Sequence, residues 1–154
     1  MIEIRHKCED EVLFRLDADT FVGADLRGAN LSGANLAGVD LTGVALQGAY
    51  LSDAILTGAI LRSANLRGAD LMGVDANDVT FDGAILTGVD LEGAFLERAS
   101  LVEAQLDGAL LRAAFLMDTN LSGAILDRAD LTDACLIRAR YDAHTRWPAG
   151  FDPD

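Results

Sequence analysis

The chain has 154 residues, of which 51% are hydrophobic and only 6% aromatic, and its formal net charge is −13. This length is typical of one domain. The acidic balance argues against direct binding to nucleic-acid phosphates and against binding to an anionic membrane surface.

The N-terminal segment, residues 1–20, predicts a β-hairpin that caps one end of the fold. Ile2 and Ile4, and then Val12, Phe14 and Leu16, alternate with polar residues around a polar KCED turn. Such alternation between turn residues is typical of paired strands. The segment has too many charges for a secretory signal.

Two further features predict a cytoplasmic protein. No stretch reaches the roughly 18 consecutive apolar residues of a membrane span. Cys8 and Cys135 are the only cysteines and lie near opposite ends of the chain. We expect both to be free thiols, as is usual in a reducing compartment.

The segment GADLRGANLSGANLAG, residues 23–38, introduces a repeat of five that continues to residue 140. Positions whose numbers end in 1 or 6 form the Leu slot, which holds 21 leucines in 25 positions from 21 to 141. Positions ending in 4 or 9 form the Ala slot, with Ala or Val everywhere except Thr119. Neither slot contains a charged residue, so both are expected to point inward.

Regular secondary structure does not fit this period. In a helix, each step of five rotates the leucine by about 140°, which spreads the leucines around the whole surface. In a continuous strand, the leucines alternate between the two faces. The chain therefore turns once in every pentad, at the two positions after the leucine, and Gly is common at the second of them. We call these the first and second turn slots, and the position before the leucine the pre-leucine slot.

The repeat resembles the A(D/N)LXX motif of the pentapeptide-repeat family over residues 21–140. The resemblance implies an all-β, right-handed quadrilateral β-helix with twenty residues per coil and about six coils. Positions twenty apart then lie one above the other.

The segment MGVDANDVTFDG contains the only Leu slot that has lost its large side chain, at Ala76. Nearby, Val74 and Val79 replace the usual alanine, and Phe81 replaces the usual leucine. The sequence leaves open whether this coil is repacked or kinked.

The C-terminal segment, residues 141–154, departs from the repeat and contains both prolines and the only tryptophan. We expect Trp147 and Phe151 to cap the last coil. The tail, of the form YDxxTxWPxGFDP, resembles that of bacterial members of the family and so implies a bacterial protein.

The sequence offers little for catalysis. His6 and His144 lie in opposite caps, and a His6–Cys8 pair supplies too few ligands for a structural zinc site. Stacked Asp70 and Asp90 lack further ligands for a cation. We therefore expect no enzyme activity, no cofactor, no metal and no small-molecule substrate.

Apolar residues at the pre-leucine slot suggest a protein-binding surface. Stacking by twenties places Ile55, Phe95, Phe115 and Cys135 in one column, with Met117 and Ile137 beside it and Tyr50 and Leu110 across the adjacent edge. Contiguous exposed apolar surface usually marks a contact site. The alternative is that these side chains only stack along the coils. The predicted function is a scaffold that binds another protein or itself, including as a homodimer. Its predicted contact residues are Tyr50, Ile55, Phe95, Leu110, Phe115 and Cys135.

The face built on Leu31, Leu51, Leu71, Leu91, Leu111 and Leu131 suggests an alternative function. The face carries one arginine, Arg112, and six carboxylates. The carboxylates are Asp53, Asp70, Asp90, Glu92, Asp130 and Asp133. Fluoroquinolone-resistance members of the family are thought to imitate duplex DNA and engage a type II topoisomerase. The resemblance therefore implies, as the alternative, a DNA mimic that binds gyrase through this acidic face.

Overall fold

The computed structural model describes residues 1–153, so the last residue of the predicted tail, Asp154, lies outside the described residues. These described residues include three strands, β1 (Ile2–His6), β2 (Val12–Leu16) and β3 (Ala34–Asn35). They form a sheet in the order β2-β1-β3. The rest of the structure consists of turns joined by single β-bridges.

Residues 21–140 wind into a right-handed quadrilateral β-helix, as the repeat predicts. From Asp25 to Asn120, each pre-leucine residue forms a parallel bridge with the residue twenty positions further on. Leu31 N donates a hydrogen bond to Tyr50 O (2.7 Å), and Tyr50 N donates to Ala29 O (3.0 Å). The same pattern recurs in each pentad, so successive coils are joined on all four sides.

The core is a column of small and aliphatic side chains along the helix axis. Leucines of the middle coils are 0% exposed, and so are most residues of the Ala slot. Thr119 is the polar exception, and its buried hydroxyl donates to Leu96 O (2.7 Å). Since the leucine and alanine slots fill the interior, the other three slots of each pentad form the surface.

The coil around Ala76 is repacked and keeps the path of its neighbours. Ala76 and Phe81 are both 0% exposed, and Val79 is 1% exposed. The bridges Ile55↔Asp75 and Asp75↔Phe95 continue the ladder through this coil. Phe81 lies in the next Leu slot along the chain and brings a larger buried side chain into the core near the missing leucine.

The N-terminal hairpin packs over part of the first coil. β1 pairs antiparallel with β2, with Ile4 opposite Phe14, and also with β3, with Arg5 opposite Asn35. Ile4 is 1% exposed. The hairpin thus covers the sheet edge at β3 and closes the core with an apolar side chain, which an open coil end requires.

The C-terminal tail continues the winding for part of another coil. Arg146 bridges Ile125 with a spacing of 21 residues, so one extra residue is accommodated after Arg140. The Trp147 ring meets Tyr141 edge to face and stacks on Phe151, with centroid distances of 5.4 and 5.3 Å. Trp147 and Phe151 are partly buried against the core.

Candidate protein-binding faces

The face built on Leu36, Leu56, Ala76, Leu96, Leu116 and Leu136, called here the apolar face, carries most of the predicted contact residues. Its pre-leucine column follows the bridges in the order Asn35, Ile55, Asp75, Phe95, Phe115, Cys135. Asp75 therefore separates Ile55 from the aromatic residues. Asp75 thus interrupts the predicted apolar surface. The prediction missed it because only the apolar residues of this column were selected.

The C-terminal half of this face has a continuous apolar surface. The Phe95 and Phe115 rings stack with centroids 5.1 Å apart and planes 3° from parallel, yet they remain 41% and 38% exposed. Cys135 bridges Phe115 on the next coil, and Ile137 is 57% exposed. We call Phe95, Phe115, Met117, Cys135 and Ile137 the aromatic strip. Both sequence alternatives hold for the two rings, which stack on each other and still present a surface.

A ladder of alternating charge runs along the same face in the second turn slot. Its members in coil order, called here the charge ladder, are Asp78, Arg98, Asp118 and Arg138. Arg98 donates two hydrogen bonds of 2.8 Å to the Asp78 carboxylate. Arg138 donates to Asp118 in the same way, at 2.7 and 2.6 Å. These charge-assisted bonds lower the pKa of both aspartates below the usual range.

Tyr50 and Leu110 lie on a different face from the aromatic strip. Tyr50 bridges Asn30 and Asp70, and Leu110 bridges Asp90 and Asp130. Both therefore belong to the pre-leucine column of the acidic face. Tyr50 is 54% exposed, but three coils separate it from Leu110. The six predicted contact residues thus form no single surface.

The acidic face has the expected carboxylates, but several of them are engaged locally. Arg112 contacts Glu92 at 2.9 Å and Asp130 at 3.7 Å. Asp70, Asp90 and Asp130 each accept a bond of 3.0 Å from the backbone N–H two residues on. The Thr132 hydroxyl, with its backbone N–H, lowers the pKa of Asp130.

Two more of these carboxylates lie in turns. Asp53 and Asp133 occupy the second turn slot, and the Asp53 carbonyl accepts a 2.5 Å bond from Lys7 Nζ. The carboxylates of the acidic face do not form a continuous column, because Leu110 lies between Asp90 and Asp130 and the Arg112 guanidinium contacts two of the carboxylates.

Comparison with known proteins settles the family. The sequence model of the family described as pentapeptide repeats matches this chain in overlapping segments that span residues 20–140. The chain belongs to the pentapeptide-repeat family.

Solved pentapeptide-repeat structures are also similar to it. Rfr23 from the cyanobacterium Cyanothece 51142 is 28% identical, with 82% of this chain and 89% of that one covered and a TM-score of 0.34. A protein from Nostoc is 35% identical, with coverages of 83% and 77% and a TM-score of 0.23. One from the Arabidopsis thaliana thylakoid lumen is 27% identical, with coverages of 79% and 66% and a TM-score of 0.29. No curated protein matches the chain.

Elsewhere in this pentapeptide-repeat protein, a shallow cleft of about 290 Å³ lies between residues 129–132 and the tail residues 148–151. Asp130 is its only ionisable side chain. Across residues 1–153, no three His, Cys, Asp or Glu side chains are grouped as metal ligands. The same residues include no helix of the length and hydropathy needed to cross a bilayer.

His6 makes a packing contact that the sequence pattern does not predict. Its Nδ1 accepts hydrogen bonds from the backbone N–H groups of Cys8 and Glu9, each at 3.3 Å. Its ring lies against Gly33, where an added Cβ would be 2.4 Å from Nε2. The His6 ring thus connects the hairpin turn to the first coil. The sequence feature that permits this contact is the glycine at position 33, which leaves room for the ring.

Proposed function

We propose that this pentapeptide-repeat protein is a non-enzymatic scaffold of the bacterial cytoplasm that binds a protein, either another chain or a second copy of itself, through the aromatic strip. The observation that carries the proposal is the exposed Phe95–Phe115 stack. The pre-leucine slot holds Asp or Asn in many other pentads, so the fold does not require aromatic rings there.

The composition of the strip supports a contact role. Aromatic residues and Met are enriched in protein interfaces, where charged residues are depleted from the centre. Rigid rings also lose little conformational entropy on binding, since each has only two side-chain torsions. The cytoplasmic location is supported by the two cysteines, which are unpaired, with Cys8 exposed.

The acidic face supports the alternative, a gyrase-binding DNA mimic, less well. Such a mimic needs an extended negative field along the rod. Here Arg112 contacts two of the carboxylates, and Leu110 lies between two others in the column. The field along this face is therefore interrupted at the coil of Leu110 and Arg112.

The test replaces the two rings by residues that the slot already accepts. Asn35 and Asn65 occupy this slot, and Asn35 Oδ1 accepts a bond from the N–H two residues on. The double variant Phe95→Asn/Phe115→Asn is therefore expected to fold and to keep the same net charge. Ile85→Asn/Ile125→Asn makes the same type of change on another face and serves as the matched control.

The measurement is quantitative affinity capture from the source cell's lysate, followed by titration of any captured protein. We expect the control to bind like wild type and the Phe95/Phe115 variant to bind at least ~10-fold more weakly, as for the loss of one binding hot spot. Equal binding by all three proteins, with self-association also unchanged by Phe95→Asn/Phe115→Asn, would exclude the aromatic strip as the contact surface.

A further inference from the structure

The charge ladder has an order that is complementary to its own reversal. Read from Asp78 to Arg138, the signs are minus, plus, minus, plus; read backwards, each sign is opposite. Although Arg98 and Arg138 already bond to carboxylates of their own chain, the ladder remains accessible. Its arginine side chains are 55% and 68% exposed, and its carboxylates 47% and 40%.

We propose that two copies of this chain pack their apolar faces together, antiparallel, around a two-fold axis that passes between the coils of Phe95 and Phe115. This inference uses the surface of the proposed function and names its partner as a second copy. In such an isologous contact, each column faces the same column of the other copy in reverse order. Phe95 then lies opposite Phe115 of the second copy, which brings four rings together.

The same axis pairs the charges of the ladder. Arg98 lies opposite Asp118 of the second copy, and Asp78 lies opposite Arg138 of the second copy. With the two symmetry-related contacts, all four members of each ladder meet an opposite charge. Complementary charge of this kind contributes mainly to specificity and register.

Other arrangements of the two faces are less favourable. A slip of one coil places Asp118 opposite Asp118 of the second copy. A slip of two coils restores opposite charges but leaves Phe95 without a partner ring, or in the other direction places Asp75 opposite it. Parallel packing places the aromatic column opposite the charge ladder. The ladder thus disfavours slips of one coil and the rings disfavour slips of two, so that together they select one register.

The contact is expected to be reversible. The overlap covers about four coils at ~4.8 Å each, a strip ~19 Å long. Because this strip occupies one side of only four coils, we expect it to bury less than the roughly 800 Å² per partner of a standard interface. The least complementary contacts are Met117 with Glu97 of the second copy, in the middle column, and Asp75 with Cys135 of the second copy, in the pre-leucine column. We therefore expect a dimer whose population depends on concentration.

The test reverses the whole ladder in one variant, Asp78→Arg/Arg98→Asp/Asp118→Arg/Arg138→Asp. Alternation within the chain is kept, so the pairs between adjacent coils remain. The four positions have φ values of 56°, 57°, 57° and 57°, and they hold two Asp and two Arg before and after the change. The variant therefore has the same net charge and is expected to fold like wild type, as circular dichroism would show.

The measurement is energy transfer between donor and acceptor fluorescent proteins fused to the N-terminus, titrated with wild type, the reversed variant and their mixture. We expect the two pure samples to associate equally and the mixed pair at least ~10-fold more weakly, because every ladder contact then joins like charges. The variant Phe95→Asn/Phe115→Asn is expected to weaken association in the wild-type sample.

Mixed association as strong as in the pure samples would overturn the proposed register, and a wild type that is monomeric throughout the titration would overturn the dimer. In the monomer case, loss of captured protein on Phe95→Asn/Phe115→Asn would still support the scaffold proposal. The two proposals therefore fail on different results.

Discussion

Every pentad ends on a residue with left-handed backbone, and this requirement acts on each residue separately. From position 23 to position 138, φ in the second turn slot lies between 53° and 68°. Glycine occupies most of these positions, but Asp, Arg, Glu, Ser and Ala occupy the rest. An L-residue in this conformation costs roughly 1–2 kcal/mol relative to the right-handed region. The chain therefore carries distributed backbone strain wherever glycine is absent.

Ala113 is the simplest of these strained residues, with φ at 53° and an exposed methyl group. We expect Ala113→Gly to raise the free energy of unfolding by about 0.5–1 kcal/mol, because relief of strain exceeds the added flexibility of the unfolded chain. Chemical denaturation measures this change. Ala37→Gly is the control, since Ala37 is also exposed but lies in the first turn slot, outside the positive-φ set.

The control is expected to lower the free energy of unfolding by a similar amount, since only unfolded-state entropy changes there. If both substitutions shifted the free energy in the same direction, strain in the second turn slot would not explain the result.

At the level of single residues, the sequence predicted the inward slots and the corners but not the contacts on the surface. Glycines such as Gly23 and Gly28 indicated the turn, and Leu and Ala the core, because both follow from backbone geometry. The Arg98–Asp78 and Arg138–Asp118 pairs were missed. The charges of the second turn slot, such as those of Asp53 and Asp133, were summed for each face and were not compared between successive coils.

The hairpin lies outside the repeat and contains a regular pair of strands. Its alternation predicted β1 and β2, but the partner of β1 on the solenoid was not predictable. β1 pairs with β3 because β3 is the coil edge that an antiparallel strand can reach. A hydrogen bond of 2.8 Å from Lys7 N to Gly33 O extends this pairing. His6 then packs on Gly33, where no side chain fits.

This contact makes Gly33 different from the equivalent Gly28. Their φ values are 67° and 64°, but a Cβ at Gly28 would meet nothing within 4 Å. Gly28→Ala is therefore expected to cost only the backbone strain, about 1 kcal/mol. Gly33→Ala is expected to cost about 1–3 kcal/mol more, because the His6 ring has to move.

Denaturation of both variants gives the two free energies, and hydrogen exchange at Ile4 and Arg5 locates the damage. Faster exchange in β1 for Gly33→Ala alone is the expected result. Equal free energies and equal exchange in the two variants would show that His6 does not hold the hairpin in place.

Across the whole molecule, each coil contacts only its neighbours, as in other repeat proteins. This is why arithmetic on the sequence located the columns correctly: a residue's surroundings follow from positions twenty away. The candidate surface was incomplete because only apolar residues were selected from its column, and Asp75 lies there between Ile55 and Phe95. The same arithmetic placed Tyr50 on the adjacent face, where it bridges Asp70. Neither position needed information beyond the sequence.

Nearest-neighbour stacking predicts that a whole coil can be removed. Deletion of residues 41–60 joins Asp40 to Leu61, which keeps every later residue in its slot. Lys7 then meets the carbonyl of Gly73 in place of that of Asp53, since Asp53 contributes a backbone group to that bond. We expect a folded protein whose denaturant dependence of unfolding falls by about one sixth, in proportion to the surface buried. The apolar face from Asp75 to Arg138 remains whole, so the self-association inferred above should survive.

Deletion of residues 41–57 is the control, because it removes a similar length but joins Asp40 to Gly58, out of phase with the repeat. Gly58 would then enter a Leu slot, and Leu61 an Ala slot. Loss of a buried leucine typically costs roughly 2–5 kcal/mol. If the chain instead distorted at the junction so that later leucines returned to their slots, hydrogen bonds between coils would be lost there. Guanidinium denaturation is therefore expected to unfold this variant at a clearly lower concentration than the 41–60 deletion. Equal midpoints would contradict a stability that depends on the phase of the repeat.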